Sequence, residues 1–137
     1  MRTVAPRASR GGVAIEYLMK PEGDLLCVEA SGVDESLAEV QEHGLAILSR
    51  CAEGQHRRLL CDERRLEYRL DTVDTFRAAS FISEIAPGVG RAALVCHPSC
   101  ANDAQFWETV AVNRGVAVRV FQDLDAACAW LGVPPRS

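Results

Sequence analysis

Arg57-Arg58-Leu59-Leu60-Cys61-Asp62 is the stretch on which the fold turns. Its short apolar centre suits a strand covered on both faces, with Asp62 marking the carboxyl end. On its N-terminal side Leu37, Val40, Gly44, Ile47, Leu48 and Cys51 recur at three- and four-residue steps. That period is an amphipathic helix of about four turns. Asp34 is placed to cap this helix and Gly54 to stop it.

The same alternation of helix and strand continues downstream. A charged connection, Glu63 to Leu70, reads as a hydrated loop, and a second helix follows from about Thr72 to Ala86. Asp71 is its expected N-cap and Pro87-Gly88 its end. Arg91 to Cys96 is the next buried strand. The loop His97-Pro98-Ser99-Cys100 then leads into a helix carrying Phe106, Trp107, Val110 and Ala111 to a stop at Gly115, with Asn102 and Gln105 at capping-box spacing. Val116 to Phe121 alternates as a strand, and Asp123 opens a last helix with Leu124, Ala127, Cys128 and Leu131 facing inward. Gly132 and Pro134-Pro135 close it.

Upstream, Val13 to Met19 alternates, Pro21-Glu22-Gly23-Asp24 supplies turn chemistry, and Leu25 to Ala30 returns as an antiparallel partner. The order is ββαβαβαβα. Right-handed crossovers make this an α/β domain with a mostly parallel five-stranded sheet and an antiparallel first strand. Residues 1–12, rich in Pro, Gly, Ser and Arg, read as a flexible tail, residues 13–133 as the folded domain, and 134–137 as a C-terminal tail.

The chain has 137 residues, which suits one domain and leaves no room for a separate catalytic one. Hydrophobic residues make up 48% and charged residues 25%, the balance of a globular protein. A net charge of −4 gives no support to a polyanion-binding surface, so nucleic acid is not an expected partner. No stretch is long and apolar enough to insert in a membrane, and the N-terminus lacks the apolar core of a secretory signal. The expected location is the cytoplasm. The six cysteines, Cys27, Cys51, Cys61, Cys96, Cys100 and Cys128, are spread through apolar patterns and read as buried, reduced thiols.

The ordered set Leu59-Leu60-Cys61-Asp62, Arg91-Ala92-Ala93-Leu94-Val95 and Val118-Arg119-Val120-Phe121, leading into Ala126 and Ala129-Trp130-Leu131, resembles the SpoIIAA-like, STAS-related proteins. The likeness runs from about Val13 to Gly132, and its most specific piece is VRVFQDLDAACAWLG at 118–132. It implies a SpoIIAA-like β-α superhelix in which successive parallel strands lie side by side, with the antiparallel opening strand at one end. It also implies a binding and regulatory module rather than an enzyme. In the anti-sigma antagonist branch a Ser at the start of the second helix, in an Asp-Ser-Ser-Gly pattern, is phosphorylated. The matching stretch here, Asp71-Thr72-Val73-Asp74, keeps an Asp and one hydroxyl and lacks the second Ser and the Gly. The fold is also similar to Sec14-type lipid-binding domains.

Three sets of residues are candidates for function. Thr72, with Asp71, sits where a phosphate would meet free helix N–H groups, though Asp71 and Asp74 oppose added negative charge; plain capping is the alternative. His97 and Cys100, with Cys96, place two thiols and an imidazole at the carboxyl end of a parallel strand, where α/β proteins tend to place ligands. The C-H-x-x-C spacing has no second pair to complete a zinc site, so no metal is expected. Asp62, with Glu63 and Arg64 after it, could clamp a ligand or serve as the solvated exit of a strand. No phosphate-binding glycine loop and no nucleophile elbow is present, and no cofactor is expected. Trp107 and Trp130 lie at helical spacing with apolar neighbours and read as packing.

If all the helices cover one face of the sheet, the other, carrying Tyr17, Met19, Leu26 and Val28, is left for a second copy or an apolar ligand. The expectation is a non-catalytic regulatory or protein-interaction module, self-associating as a homodimer or binding a protein partner. The alternatives are a Sec14-like carrier of an apolar small molecule and a thiol-dependent sensor or enzyme using Cys100 and His97.

Overall fold

Two long strands, β3 (Leu25–Asp34) and β4 (Arg58–Tyr68), run parallel through the middle of one sheet in a computed structural model that describes residues 3, 4, 15–86 and 88–136. β2 (Ile15–Glu22) pairs antiparallel with β3 through a tight turn in which Gly23 takes a φ of 63°, a conformation that favours glycine. β5 (Arg91–Cys96) and β6 (Val118–Phe121) extend the sheet in parallel on the other side of β4. A two-residue strand, β1 (Thr3–Val4), lies antiparallel on the outer edge of β2, so the strand order is β1-β2-β3-β4-β5-β6. The five main strands and their four helices are the superhelix expected from the sequence. Thr3 and Val4, read as tail, are in a strand; the rest of residues 1–12, with Val13, Ala14, Pro87 and Ser137, lie outside the described residues.

The helices are α1 (Leu37–Gly54), α2 (Thr72–Ile85), α3 (Ala101–Asn113) and α4 (Leu124–Leu131). The caps at Asp71 and Asp123 are as expected: Asp71 accepts from the Asp74 N–H at 2.8 Å, and Asp123 accepts from the N–H groups of Asp125 and Ala126. The cap of α1 is Ser36, whose Oγ accepts from the Glu39 N–H; Asp34 is instead the last residue of β3. At the start of α3 no side chain caps, so the Asn102–Gln105 box does not form; a single 3₁₀ turn, Pro98–Cys100, leads into the helix.

The segment Glu63 to Leu70, expected as a hydrated loop, is strand as far as Tyr68. β3 is also longer than its apolar run, and Val33 pairs with Glu67 and Asp34 with Tyr68, so the two strands extend each other. Within the charged segment Leu66 is buried and Glu67 exposed, the alternation of a strand with one wet face. An irregularity opposite Glu29–Ser31 gives β4 one residue more than β3.

Helices cover both faces of the sheet, contrary to a one-sided covering. Ile15, Tyr17, Met19, Leu26, Val28, Ala30, Leu59, Cys61 and Leu66 form one core with Ile47 and Cys51 of α1. Leu25, Cys27, Leu60, Ala93 and Val95 form a second with Leu124, Ala127, Cys128 and Leu131 of α4. Each fully buried Leu or Val contributes about 1.5–3 kcal/mol, which is why the α4 side, though only one helix wide, is a true core. Tyr17, Met19, Leu26 and Val28 are therefore interior. On the α4 side of β2 and β3, Glu16, Lys20 and Glu29 are exposed. Among the described residues no uncovered apolar sheet face is left to receive a second copy.

Candidate functional site

α2 does not lie on the strands. It packs mainly against α1 on one side and α3 on the other, while α3 reaches the sheet chiefly at β6. The strands below them present small side chains: Ala92 of β5 and Ala117 before β6. The helices answer with Ala78 of α2 and Ala104 of α3. Where two facing layers both carry alanine, the side chains are too short to close the gap left by the backbone. A cavity of about 150 Å³ results, walled further by Ile47, Leu59, Leu94, Trp107 and Val118.

One part of the wall is polar. Asp34 comes from the end of β3, Glu63 and Tyr68 from β4, Asp103 from the first turn of α3, and His43 from α1. The extra residue in β4 brings Glu63, Leu66 and Tyr68 onto the same face, and the Tyr68 hydroxyl donates a hydrogen bond to Glu63 Oε1. Asp34 Oδ1 accepts from the backbone N–H of Arg69 at 3.0 Å. His43 is buried, its ring 4.7 Å from that of Tyr17.

Desolvation dominates the electrostatics of these groups. Burial pushes Asp34 up to about 8 against the pull of the Arg69 N–H, and the negative charges of Glu63, Asp103 and Glu39 add to the rise. Burial likewise pushes Glu63 up to about 7, against the hydrogen bond from Tyr68. Tyr68 is raised by burial and by the charge of Glu63. The end of the cavity is thus a weakly ionised acid pair in an apolar chamber.

Asp62, singled out in the sequence, faces the opposite way from Glu63. Burial raises its pKa, but the hydrogen bonds from Arg64 outweigh that and hold it below its ordinary value. The Arg64–Asp62 ion pair is 2.7 Å long and partly exposed. Thr72 is exposed in the first turn of α2, behind the Asp71 cap.

His97 and Cys100 do not touch directly. The His97 Nδ1 accepts from the Ser99 N–H at 3.0 Å and lies 2.8 Å from Ser99 Oγ, which is in turn 3.9 Å from Cys100 Sγ. His97 is exposed and Cys100 buried. All six cysteines are free and buried; burial pushes Cys96 up to about 11. Among the described residues no group of His, Cys, Asp and Glu is arranged to hold a metal ion. Of the two tryptophans, Trp107 lines the cavity and Trp130 packs beside Phe121, with the Arg91 guanidinium 5.0 Å from its ring.

Asp34 and Tyr68 are the site residues that sequence reading placed elsewhere, Asp34 as a cap and Tyr68 as part of a loop; Glu63 was named beside Asp62 as part of a possible ligand clamp, and of the two it is Glu63 that lines the cavity. The signal that could have found them is the spacing of Glu63, Leu66 and Tyr68, which shares one face only if β4 carries an extra residue.

Two solved structures are similar to the whole domain. An anti-sigma factor antagonist from Mycobacterium paratuberculosis matches with a TM-score of 0.61 at 14% identity, covering 87% of this chain and 95% of its own. An uncharacterised protein with a SpoIIAA-like fold from Shewanella loihica matches with a TM-score of 0.57 at 15% identity, covering 91% of this chain and 99% of its own. Neither a family model nor a curated protein matches the sequence. With strand order, helix placement and these two matches in agreement, the chain has a SpoIIAA-like fold.

Proposed function

We propose that this protein is a non-catalytic regulatory module of the STAS kind that works by taking a small apolar ligand into the chamber beneath α1, α2 and α3. The observation that carries this reading is the cavity itself, about 150 Å³ and walled mostly by Ala, Val, Leu and Ile. Apolar cavities of this size accept benzene-sized molecules. A helix held by its neighbours rather than by the sheet is also the element best placed to shift when the chamber fills. Methyl-resolved NMR during titration with benzene tests it. Saturable shifts confined to the methyls of Ile47, Leu59, Leu94 and Val118 are expected, and no saturable shift at those methyls overturns the reading.

A second reading is favoured by the outer face of α2, where Val73 and Phe76 are 56% and 43% exposed beside Thr72. One of the similar structures is an anti-sigma factor antagonist, and a protein partner seated on that turn would bury both side chains. A photo-crosslinking residue at position 76 tests it in cells. One discrete adduct that Val73→Glu removes supports this reading, and a diffuse ladder unchanged by Val73→Glu sinks it.

A further inference from the structure

We propose that the molecule this cavity takes carries a single cationic amine, its ring or short alkyl chain lying among the alanines and its ammonium against Asp34 and Glu63. The inference rests on the ligand-chamber reading above and adds the chemical class of the ligand. It follows from which polar groups reach the wall. Asp34 arrives from β3, Glu63 from β4 and Asp103 from α3, while no Lys or Arg lines the chamber among the described residues. Of the cations nearest in sequence, Arg64 pairs with Asp62 at 2.7 Å and Arg69 with Glu67 at 2.9 Å and Glu35 at 3.7 Å, while Arg65 is exposed and acts on Asp62 through its charge. On α1, Glu39 accepts from the Ile15 N–H and His43 lies against Tyr17.

Both carboxyls keep an acceptor to spare. Asp34 uses Oδ1 for the Arg69 N–H and Glu63 uses Oε1 for the Tyr68 hydroxyl; the second oxygen of each accepts no hydrogen bond from a described residue. A carboxylate offers roughly four lone-pair sites, so an ammonium with three donors fits what is left over. An anionic ligand would bring a like charge to acids that burial already holds against ionising, and a purely hydrocarbon one would leave their spare acceptors without a partner. The raised pKa values of Asp34 and Glu63 are those of acids lacking a counter-charge, which a bound ammonium would supply.

Isothermal titration calorimetry of the full chain at pH 7.5 against phenethylamine, ethylbenzene and 3-phenylpropionate separates the possibilities by charge at nearly constant shape. Phenethylamine is expected to bind about tenfold tighter than ethylbenzene, the scale of one charge-assisted hydrogen bond, and 3-phenylpropionate most weakly. The Asp34→Asn, Glu63→Gln double variant removes the preference while ethylbenzene still binds, and Asp62→Asn, on the other side of the sheet, leaves the preference intact. Circular dichroism checks that each variant is folded, and the comparison of the three ligands on the unaltered chain needs no variant. Equal binding of ethylbenzene and phenethylamine, or a preference that survives the double variant, overturns the amine assignment and leaves the chamber reading standing. Failure of all three to bind overturns both.

Discussion

Asp62 and Glu63 are neighbours in β4 and lie on opposite sides of the sheet: Asp62 pairs with Arg64, while Glu63 lines the chamber and accepts a hydrogen bond from Tyr68. The pleat therefore separates two adjacent acids into a charge-paired surface group and a desolvated interior one. Their pKa values move in opposite directions for that reason. The chemistry of the chamber depends on this division, and so do the expectations that follow.

Stability should fall as pH rises through neutrality. Asp34 and Glu63 hold their protons in the folded state up to about 8 and about 7, whereas in the unfolded chain they lose them near the ordinary carboxyl values of 3.8 and 4.5. Between those limits the native state binds more protons than the unfolded one, so the stability these groups confer is full at low pH and is lost as pH rises through their folded values. Urea unfolding at pH 5 and pH 8 checks this. The midpoint is expected to be higher at pH 5, with the difference much reduced in the Asp34→Asn, Glu63→Gln variant; a higher midpoint at pH 8 contradicts it.

Filling the chamber from its own wall should exclude the ligand. Ala104 and Ala78 are 1% and 2% exposed and line the space from two different helices. Ala104→Leu places extra carbons in the void rather than against a packed neighbour, so the fold should survive. Benzene affinity is expected to drop by about tenfold or more, the loss of roughly 1.4 kcal/mol of binding. Ala78→Leu should do the same from the other side. Undiminished affinity in both would place the ligand elsewhere.

The α1 side of the sheet should behave as ordinary core. Leu26 is fully buried against α1, so Leu26→Ala is expected to cost about 3 kcal/mol in chemical denaturation. A cost below about 1 kcal/mol would mean that this face is not packed as described.

The start of α2 should separate capping from the hydroxyl. Asp71→Ala removes the acceptor of the Asp74 N–H and is expected to cost about 1 kcal/mol. Thr72→Ala, at an exposed position with no partner in that cap, should change stability by less than about 0.5 kcal/mol. If Thr72→Ala proves the more costly of the two, the division of roles between these residues is wrong.

Much of the fold was legible because its signals are local. The switch of period from two to 3.6 at the start of α1, the caps at Asp71 and Asp123 and the doubly covered runs at Leu59–Cys61 and Ala93–Cys96 each declare themselves within a few residues. The C-terminal half of β4 was not legible, since the partner that makes Glu63 to Tyr68 a strand is the equally polar end of β3, some thirty residues away. The chamber was not legible at all. A void is the difference between backbone spacing and side-chain volume, and Ala78, Ala92 and Ala104 read the same in a sequence whether they face a close neighbour or a gap. Asp34 was misplaced for a related reason: an Asp before a helix looks like a cap, and only the length of β3 moves the cap on to Ser36.

A crystal of the protein pressurised with xenon tests the central claim most directly. Xenon enters apolar chambers of this size and scatters strongly enough to be placed without ambiguity. One xenon site bounded by Leu59, Leu94, Trp107 and Val118 is the expected result. A chamber closed by the collapse of α2 and α3 onto β5, with no xenon in it, would contradict the account.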